Sequence, residues 1–319
     1  DAPVDCCESG STLRFLLPLF MALGRTDAVF TGSDRLLSRP IPGDLGLRRT
    51  EQGLALTRPL TAGHWSLPGD ETSQLISGML LALPLLPGDS DITVTGEAVS
   101  RPYVQMTLAV LARHGVTVEK ITDGWHIPGG QFCRPAPLLD EPDWSAAAYW
   151  LVLRALLPRQ RREALRIPLV PPPYLQGDAA ILRYLDKLPE QIDISDTPDL
   201  LPLALYAALR PGRDTRFTHA AFLRQKESDR LTAVSAVLNA LGASAEVQPD
   251  GLVIHGVSAL HGGDVSACGD HRIALLAGCA AMVADGPVTL SGAETVAKSY
   301  PAFWRELAAL GGNWEVLES

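Results

Sequence analysis

The stretch Leu223-Arg-Gln-Lys-Glu-Ser-Asp-Arg-Leu-Thr-Ala-Val-Ser-Ala-Val-Leu-Asn-Ala-Leu-Gly242 decides the fold. A polar cluster, Lys226-Glu-Ser-Asp-Arg230, opens a run whose apolar residues recur at helical spacing over Leu231–Leu241, and a glycine closes it. Glycine reaches the left-handed conformation that ends a helix without strain. The same construction recurs along the chain. Thr72 and Arg101, Asp199 and Ser228, and Asp270 and Ser299 are expected to open paired helices, each pair separated by the same 29 positions. The second helix of each pair runs into His114-Gly115, Leu241-Gly242 or Leu310-Gly311. Looser versions start near Ser9 and Ser33, and near Trp144 and Gln176.

Working outward, apolar runs at helical spacing also cover Leu13–Leu23, Leu75–Leu86, Val104–Leu111, Ala146–Leu157, Leu200–Leu209, Ile273–Met282 and Phe303–Leu310. Short β-like runs lie between them: Asp91–Thr95, Ile192–Ile194, Leu252–Ile254 and Val288–Leu290. Helix and strand therefore alternate, which points to α/β layering. The spacing predicts five copies of a strand–helix–strand–helix–strands unit, each about 45–70 residues long. The Pro-rich stretch Arg134–Asp140 reads as a linker. It divides the chain into a first domain, 1–137, with two copies, and a second, 138–319, with three.

A chain of 319 residues with 46% hydrophobic and 20% charged residues has the composition of a globular protein, not a disordered one. Its formal charge of −9 argues against nucleic acid or an anionic membrane as partner, while leaving room for a small anion in a locally basic cleft. Cys6, Cys7, Cys133, Cys268 and Cys279 form no Cys-x-x-Cys pair, which suits buried thiols in a reducing cytoplasm. The histidines are scattered without zinc spacing, so no metal is expected. The most apolar helical run, Leu75–Leu86, is too short to span a membrane, and no signal peptide is expected.

The polar clusters at the expected helix starts carry the chemistry. They read Glu8-Ser-Gly-Ser-Thr-Leu-Arg14, Glu71-Thr-Ser-Gln74, Ser100-Arg-Pro-Tyr103, Lys226–Arg230, Gly269-Asp-His-Arg272 and Lys298-Ser-Tyr300. Hydroxyl residues at helix N-termini cap some backbone N–H groups and leave others facing an anion, and the macrodipole adds to the attraction. Arginine or lysine in the same turn supplies charge-assisted contacts to phosphate or carboxylate. Taken singly, each cluster is explained by capping and a solvated face. Together they suit a substrate with several negative charges. Asp199, Glu227, Asp229 and Asp270 lie beside these cations, as proton carriers or as groups that orient them.

Leu223-Arg224 with Lys226–Arg230, Gly269–Arg272, Ser195-Asp-Thr-Pro-Asp199, Thr72–Gln74, Ser100–Tyr103, Arg39-Pro-Ile41 and Ala297-Lys-Ser299 occur in one order. On these motifs the chain, from Glu8 to about Gly311, resembles the 5-enolpyruvylshikimate-3-phosphate synthase family. The resemblance implies a two-domain enolpyruvyl transferase fold of βαβαββ units with pseudo-threefold symmetry, an inside-out α/β barrel. It implies transfer of the enolpyruvyl group of phosphoenolpyruvate to the 5-hydroxyl of shikimate 3-phosphate through a tetrahedral intermediate, sensitivity to glyphosate, and no cofactor. Carried over by motif, Thr72, Ser73, Gln74, Ser100, Tyr103, Asp199 and Lys226 are expected to hold shikimate 3-phosphate. Gly10, Arg39, Gln74, Arg230, Arg272 and Lys298 are expected to clamp phosphoenolpyruvate. Asp199 is expected as the base, with Glu227 and Lys298 as proton carriers at the methylene carbon. The family's N-terminal Lys-Ser…Arg motif has no counterpart in Asp1–Cys7, so the chain is expected to be either truncated or completed by a separate N-terminal segment. The same resemblance sets aside the related UDP-N-acetylglucosamine transferase, whose loop cysteine is not matched here. A non-catalytic binder of shikimate 3-phosphate is the reading from another class.

Overall fold

Four strands of the chain end on an apolar residue followed by a hydroxyl residue: Phe30-Thr31, Val94-Thr95, Phe217-Thr218 and Leu290-Ser291. In the computed structural model each of those hydroxyl residues does the same job. The backbone carbonyls of Thr31, Thr95, Thr218 and Ser291 accept from the N–H of Cys6, Gly69, Ile194 and Ala267 at 2.9, 2.7, 3.1 and 2.9 Å. The repeat is thus expressed in backbone hydrogen bonds, just where a strand gives way to the turn before a helix. The structure describes residues 3–41, 45–70, 72–137, 141–168 and 170–317. Glu71 and the end of the expected linker, 138–140, lie outside the described residues.

Two compact units are resolved, Asp1–Asp140 and Glu141–Ser319. The first carries β1 (Val4–Asp5), α1 (Gly10–Ala22), β2 (Val29–Thr31), α2 (Asp34–Ser38), β3 (Leu47–Thr50) and β4 (Gly53–Leu56). A second copy follows: β5 (His64–Pro68), α3 (Ser73–Ala82), β6 (Ser90–Thr95), α4 (Arg101–Arg113), β7 (Glu119–Ile121) and β8 (Gly124–Ile127). Each copy folds into one sheet, ordered β1-β2-β4-β3 and β5-β6-β8-β7, with the first two strands parallel and the rest antiparallel. Its core contains Leu13, Leu17, Met21, Phe30, Leu75, Met79, Leu80 and Ile92. Leu13, Leu17 and Met21 recur at i, i+4 and i+8, and so form the inward stripe of α1.

The second unit opens with α5 (Trp144–Leu156), α6 (Arg159–Ala164) and α7 (Ile181–Asp186). A complete copy follows: β9 (Gln191–Asp193), α8 (Pro202–Ala208), β10 (Asp214–Thr218), α9 (Arg230–Ala240), β11 (Ser244–Gln248) and β12 (Gly251–His255). Its sheet has the same order, β9-β10-β12-β11. The last elements are β13 (Gly263–Ser266), α10 (His271–Ala281), β14 (Val288–Ser291) and α11 (Phe303–Ala309), with β13 and β14 as a parallel pair. Trp144, Tyr149, Leu203, Leu205, Leu276 and Phe303 are buried in the core of this unit.

The repeat is less regular than its spacing suggests. Three copies are complete among the described residues. Between α7 and β9 only 187–190 intervene, too few for a hairpin, so the copy beginning near Trp144 has none. Two expected helix starts are also displaced. Asp199 lies in a turn, and α8 begins at Pro202, because proline has no N–H to donate and fits the first turn of a helix. Ser299 closes a 3₁₀ turn, Ala293–Lys298, and α11 starts only after Pro301, since the residue before proline is held out of the helical region. Ser228 gives way by one residue to Asp229, whose carboxylate accepts from Thr232 N–H at 3.2 Å and caps α9.

Candidate active site

In the first unit, α1 and α3 follow β1 and β5, so both N-termini lie at the carboxyl ends of parallel strands. Ser9 caps α1, accepting from Thr12 N–H at 3.1 Å, and Thr72 caps α3, accepting from Gln74 N–H at 3.2 Å. Gly10 stands at the meeting point. A Cβ there would lie 2.9 Å from both Arg14 Nη1 and Gln74 Oε1 and 3.6 Å from Arg39 Nη1. Arg14, buried on the same face of α1 one turn on, donates to Gln74 Oε1 at 3.4 Å and to the Pro40 carbonyl at 3.0 Å. Arg39 Nε is buried without a hydrogen-bond partner. Gly10, Arg39 and Gln74 are therefore brought together. Ser73 is buried beside them at the start of α3. Ser100, at φ +56°, begins α4, where its carbonyl accepts from Tyr103 N–H at 3.1 Å. The loops before α3 and α4 are joined by Val99 N–H donating to the Gly69 carbonyl at 2.9 Å.

In the second unit a single guanidinium organises the charges. Arg230, 3% exposed, donates through Nε to Asp270 at 2.8 Å, through Nη1 to Asp199 at 2.9 Å and through Nη2 to Glu227 at 2.9 Å. Arg272 Nη2 reaches the other Asp199 oxygen at 3.2 Å, and Lys298 Nζ the other Glu227 oxygen at 3.1 Å. Asp270 is fully buried; it also accepts from Ser228 Oγ at 3.1 Å and caps α10 at Arg272 N–H, 2.9 Å. The two sequence motifs, Lys226–Arg230 and Gly269–Arg272, are thus locked to each other through Asp270. Lys226 Nζ stands over the Phe222 ring, 5.3 Å from its centroid.

These neighbours set the protonation states. Burial alone would raise the Asp199 carboxyl, but Arg272, Arg230 and Lys226 outweigh it and hold the group well below the usual carboxylate range. Glu227 feels the same opposition between burial and the charges of Arg230 and Lys298, and is lowered to about 2. His271 is pushed down to about 4 by burial and by Arg272, so it is neutral at pH 7. Both carboxylates are ionised, as a base must be before it takes a proton.

Asp270 stands among the acids expected to carry protons or orient the cations, and it orients Arg230; Arg14 stands in the Glu8–Arg14 cluster with no role expected of it. The four-residue step from Gly10 places Arg14 on the same helical face, a signal that was present. Nothing in the sequence separated Asp270 from the other acids; its burial decides its part.

The family model for EPSP synthase (3-phosphoshikimate 1-carboxyvinyltransferase) matches residues 1–188 and 176–307. The chain belongs to the EPSP synthase family. A 3-phosphoshikimate 1-carboxyvinyltransferase of Clostridium acetobutylicum is 39% identical over an alignment of 341 positions, gaps included, covering 97% of this chain and 78% of the relative. One from Halobacterium salinarum is 35% identical over 350, covering 98% and 80%. Among solved structures, an EPSP synthase from Acinetobacter baumannii superposes with TM-score 0.70 at 22% identity, covering 98% of this chain and 79% of that one. The enolpyruvyl transferase NikO from Streptomyces tendae gives 0.64 at 19%, covering 93% and 71%. At these identities the structural likeness is one of fold, the enolpyruvyl transferase fold expected from the motifs.

Proposed function

We propose that this EPSP synthase family member transfers the enolpyruvyl group of phosphoenolpyruvate to the 5-hydroxyl of shikimate 3-phosphate. The observation that carries the reading is the linked network of Asp199, Glu227, Arg230, Asp270, Arg272 and Lys298 in the second unit. Two polyanions have to be held together, and cations offset their repulsion and stabilise charge as the reaction proceeds.

In this reading Asp199 takes the proton from the attacking hydroxyl, whose oxygen bonds to C2 of phosphoenolpyruvate. Glu227 or Lys298 delivers a proton to the methylene carbon, giving the tetrahedral intermediate. Return of a methyl proton to that group expels phosphate and leaves the enol ether. Thr72, Ser73, Gln74, Ser100, Tyr103, Asp199 and Lys226 hold shikimate 3-phosphate. Gly10, Arg39, Gln74, Arg230, Arg272 and Lys298 hold phosphoenolpyruvate. The buried Arg39 Nε without a partner supports an anion at that position. Arg230 already spends its donors on three carboxylates, so its part in the clamp is to present Arg272 and Lys298 in register. A ligand anion that draws Lys298 from Glu227 raises the affinity of that carboxylate for a proton, as its role as an acid requires.

The reading includes a complementing N-terminal segment; the chain spans 78% of the Clostridium acetobutylicum relative's length and 80% of the Halobacterium salinarum one's. It also places the enzyme in the cytoplasm, supported by five cysteines that are all free thiols. The test is phosphate release from phosphoenolpyruvate, with and without that segment of the Clostridium acetobutylicum relative. Release that requires shikimate 3-phosphate is expected in the complemented mixture. Calorimetric binding of shikimate 3-phosphate without turnover would instead make the chain a non-catalytic binder.

A further inference from the structure

Lys298 is the last residue of a short 3₁₀ turn, Ala293–Lys298, and Pro301 keeps that turn from running on into α11. A turn of this kind has poor hydrogen-bond geometry and does not by itself fix the side chain at its end. Yet Lys298 Nζ is held 3.1 Å from Glu227 Oε1, 71 positions earlier in the sequence. Whatever steadies the turn also steadies that ion pair.

The turn is clamped at both ends. At its first residue the Trp304 indole N–H donates to the Ala293 carbonyl at 2.9 Å. Just past its last, Ser299 N–H and Tyr300 N–H both donate to the Val296 carbonyl, at 3.1 and 2.8 Å. Tyr300 then reaches two other helices. Its hydroxyl accepts from Trp150 Nε1, on α5, at 2.8 Å and donates to Glu306 Oε2, on α11, at 2.6 Å. Its ring meets those of Trp150 and Phe303, with centroids 6.1 and 6.0 Å away. One side chain thus joins the lysine turn to both helices.

Packing alone does not set the direction of that ring. A cavity of about 600 Å³ opens beside it, lined in part by Trp150, Ser299, Tyr300 and Glu306. On that side the ring faces open space, so its direction comes from the two hydrogen bonds, which weaken steeply when misaligned. Burial and the Glu306 carboxylate push the phenol up to about 12, so it keeps its proton at pH 7 and remains the donor. Trp150 is buried, and an indole N–H there that lost its acceptor would carry the full cost of its desolvation.

We propose that Tyr300 is a positioning residue for the transferase site, fixing through its hydroxyl the turn that presents Lys298 to Glu227. It acts through Lys298 and touches no substrate. Trp150 supplies the donor and Glu306 the acceptor, and both must be present for the hydroxyl to point one way. Glu306→Gln keeps an acceptor oxygen for it, whereas Glu306→Leu removes one. The inference deepens the transferase reading and rests on it for what Lys298 and Glu227 do to phosphoenolpyruvate. The hold on the turn rests on geometry alone.

The lysines of the chain are Lys120, Lys187, Lys226 and Lys298, so protein carrying lysine labelled with carbon-13 at Cε gives one methylene signal for each. Order parameters of those signals in the whole chain, without substrate, report how tightly each side chain is held. Tyr300→Phe and Glu306→Leu are each expected to lower the Lys298 value by about a third and to leave Lys120 and Lys187 unchanged. Glu306→Gln is expected to keep the native value. Ile254→Ala, in β12 of the same core, lowers the urea midpoint without touching these hydrogen bonds and is expected to leave Lys298 as it was. In the complemented mixture Tyr300→Phe should lower kcat/KM for phosphoenolpyruvate roughly ten- to a hundredfold, with KM for shikimate 3-phosphate unchanged. An unchanged Lys298 signal in Tyr300→Phe overturns the proposal, as does an equal fall in Ile254→Ala. So does a loosened Lys298 with native kcat/KM. A native mixture that shows no turnover tells against the transferase reading alone, since the lysine signals are read without it.

Discussion

Arg230 shows how one side chain converts a charged cluster into a site. Its three donors hold Asp199, Glu227 and Asp270, leaving Arg272 and Lys298 on the outer oxygens of Asp199 and Glu227. Asp270 has no exposed surface, so removing its charge takes from Arg230 the one fully buried carboxylate of its three and weakens the acceptor of Ser228. Asp270→Asn is expected to destabilise the second unit by about 3 kcal/mol, read as a lower urea midpoint. Asp199→Ala should lower turnover roughly 10²–10⁴-fold with little change in KM for phosphoenolpyruvate; comparable turnover would remove Asp199 as the base. Gly10→Ala sets a methyl against Arg14 and Gln74 and should raise KM for phosphoenolpyruvate more than it lowers kcat in steady-state kinetics. The pH response follows from Glu227, lowered from 4.5 to about 2. A depressed carboxyl stabilises the fold fully above its unfolded value and ceases to do so as pH falls through its folded value. About 3 kcal/mol should therefore be lost between pH 4.5 and 2, and Glu227→Gln should flatten that part of a urea-midpoint profile.

Among the elements, helix ends were the most legible in sequence. Gly115, Gly242 and Gly311 all take the positive φ that a C-terminal stop requires. A Cβ at Gly115 would meet nothing nearer than Arg134 Cδ at 3.4 Å, so Gly115→Ala isolates the backbone cost. It should lower stability by about 1 kcal/mol in chemical denaturation. Helix starts were less legible. Asp199 and Ser299 have the composition of caps, but Pro202 and Pro301 decide where α8 and α11 begin. Capping chemistry is local, whereas a proline two or three residues on overrides it through sterics. Between α7 and β9 only four residues intervene, so there was no alternating run there to read.

The whole chain consists of two units with separate cores, one around Leu13, Met79 and Ile92 and one around Trp144, Leu205 and Phe303. Because each core cluster draws only on its own unit, scanning calorimetry should resolve two unfolding transitions, and a single transition with equal calorimetric and van't Hoff enthalpies would count against independent units. The sequence by itself determined the repeat, the family and the anionic character of the substrates. Apolar period, glycine stops and ordered motifs are properties of neighbouring residues, and they survive in a string of letters. Only the tertiary structure decided which acid meets which cation, that Asp270 is buried while Asp229 caps α9, and that β14 has no covering strand among the described residues. Those outcomes depend on residues tens of positions apart sharing a low-dielectric space, where burial and distance fix charge and pairing and composition does not.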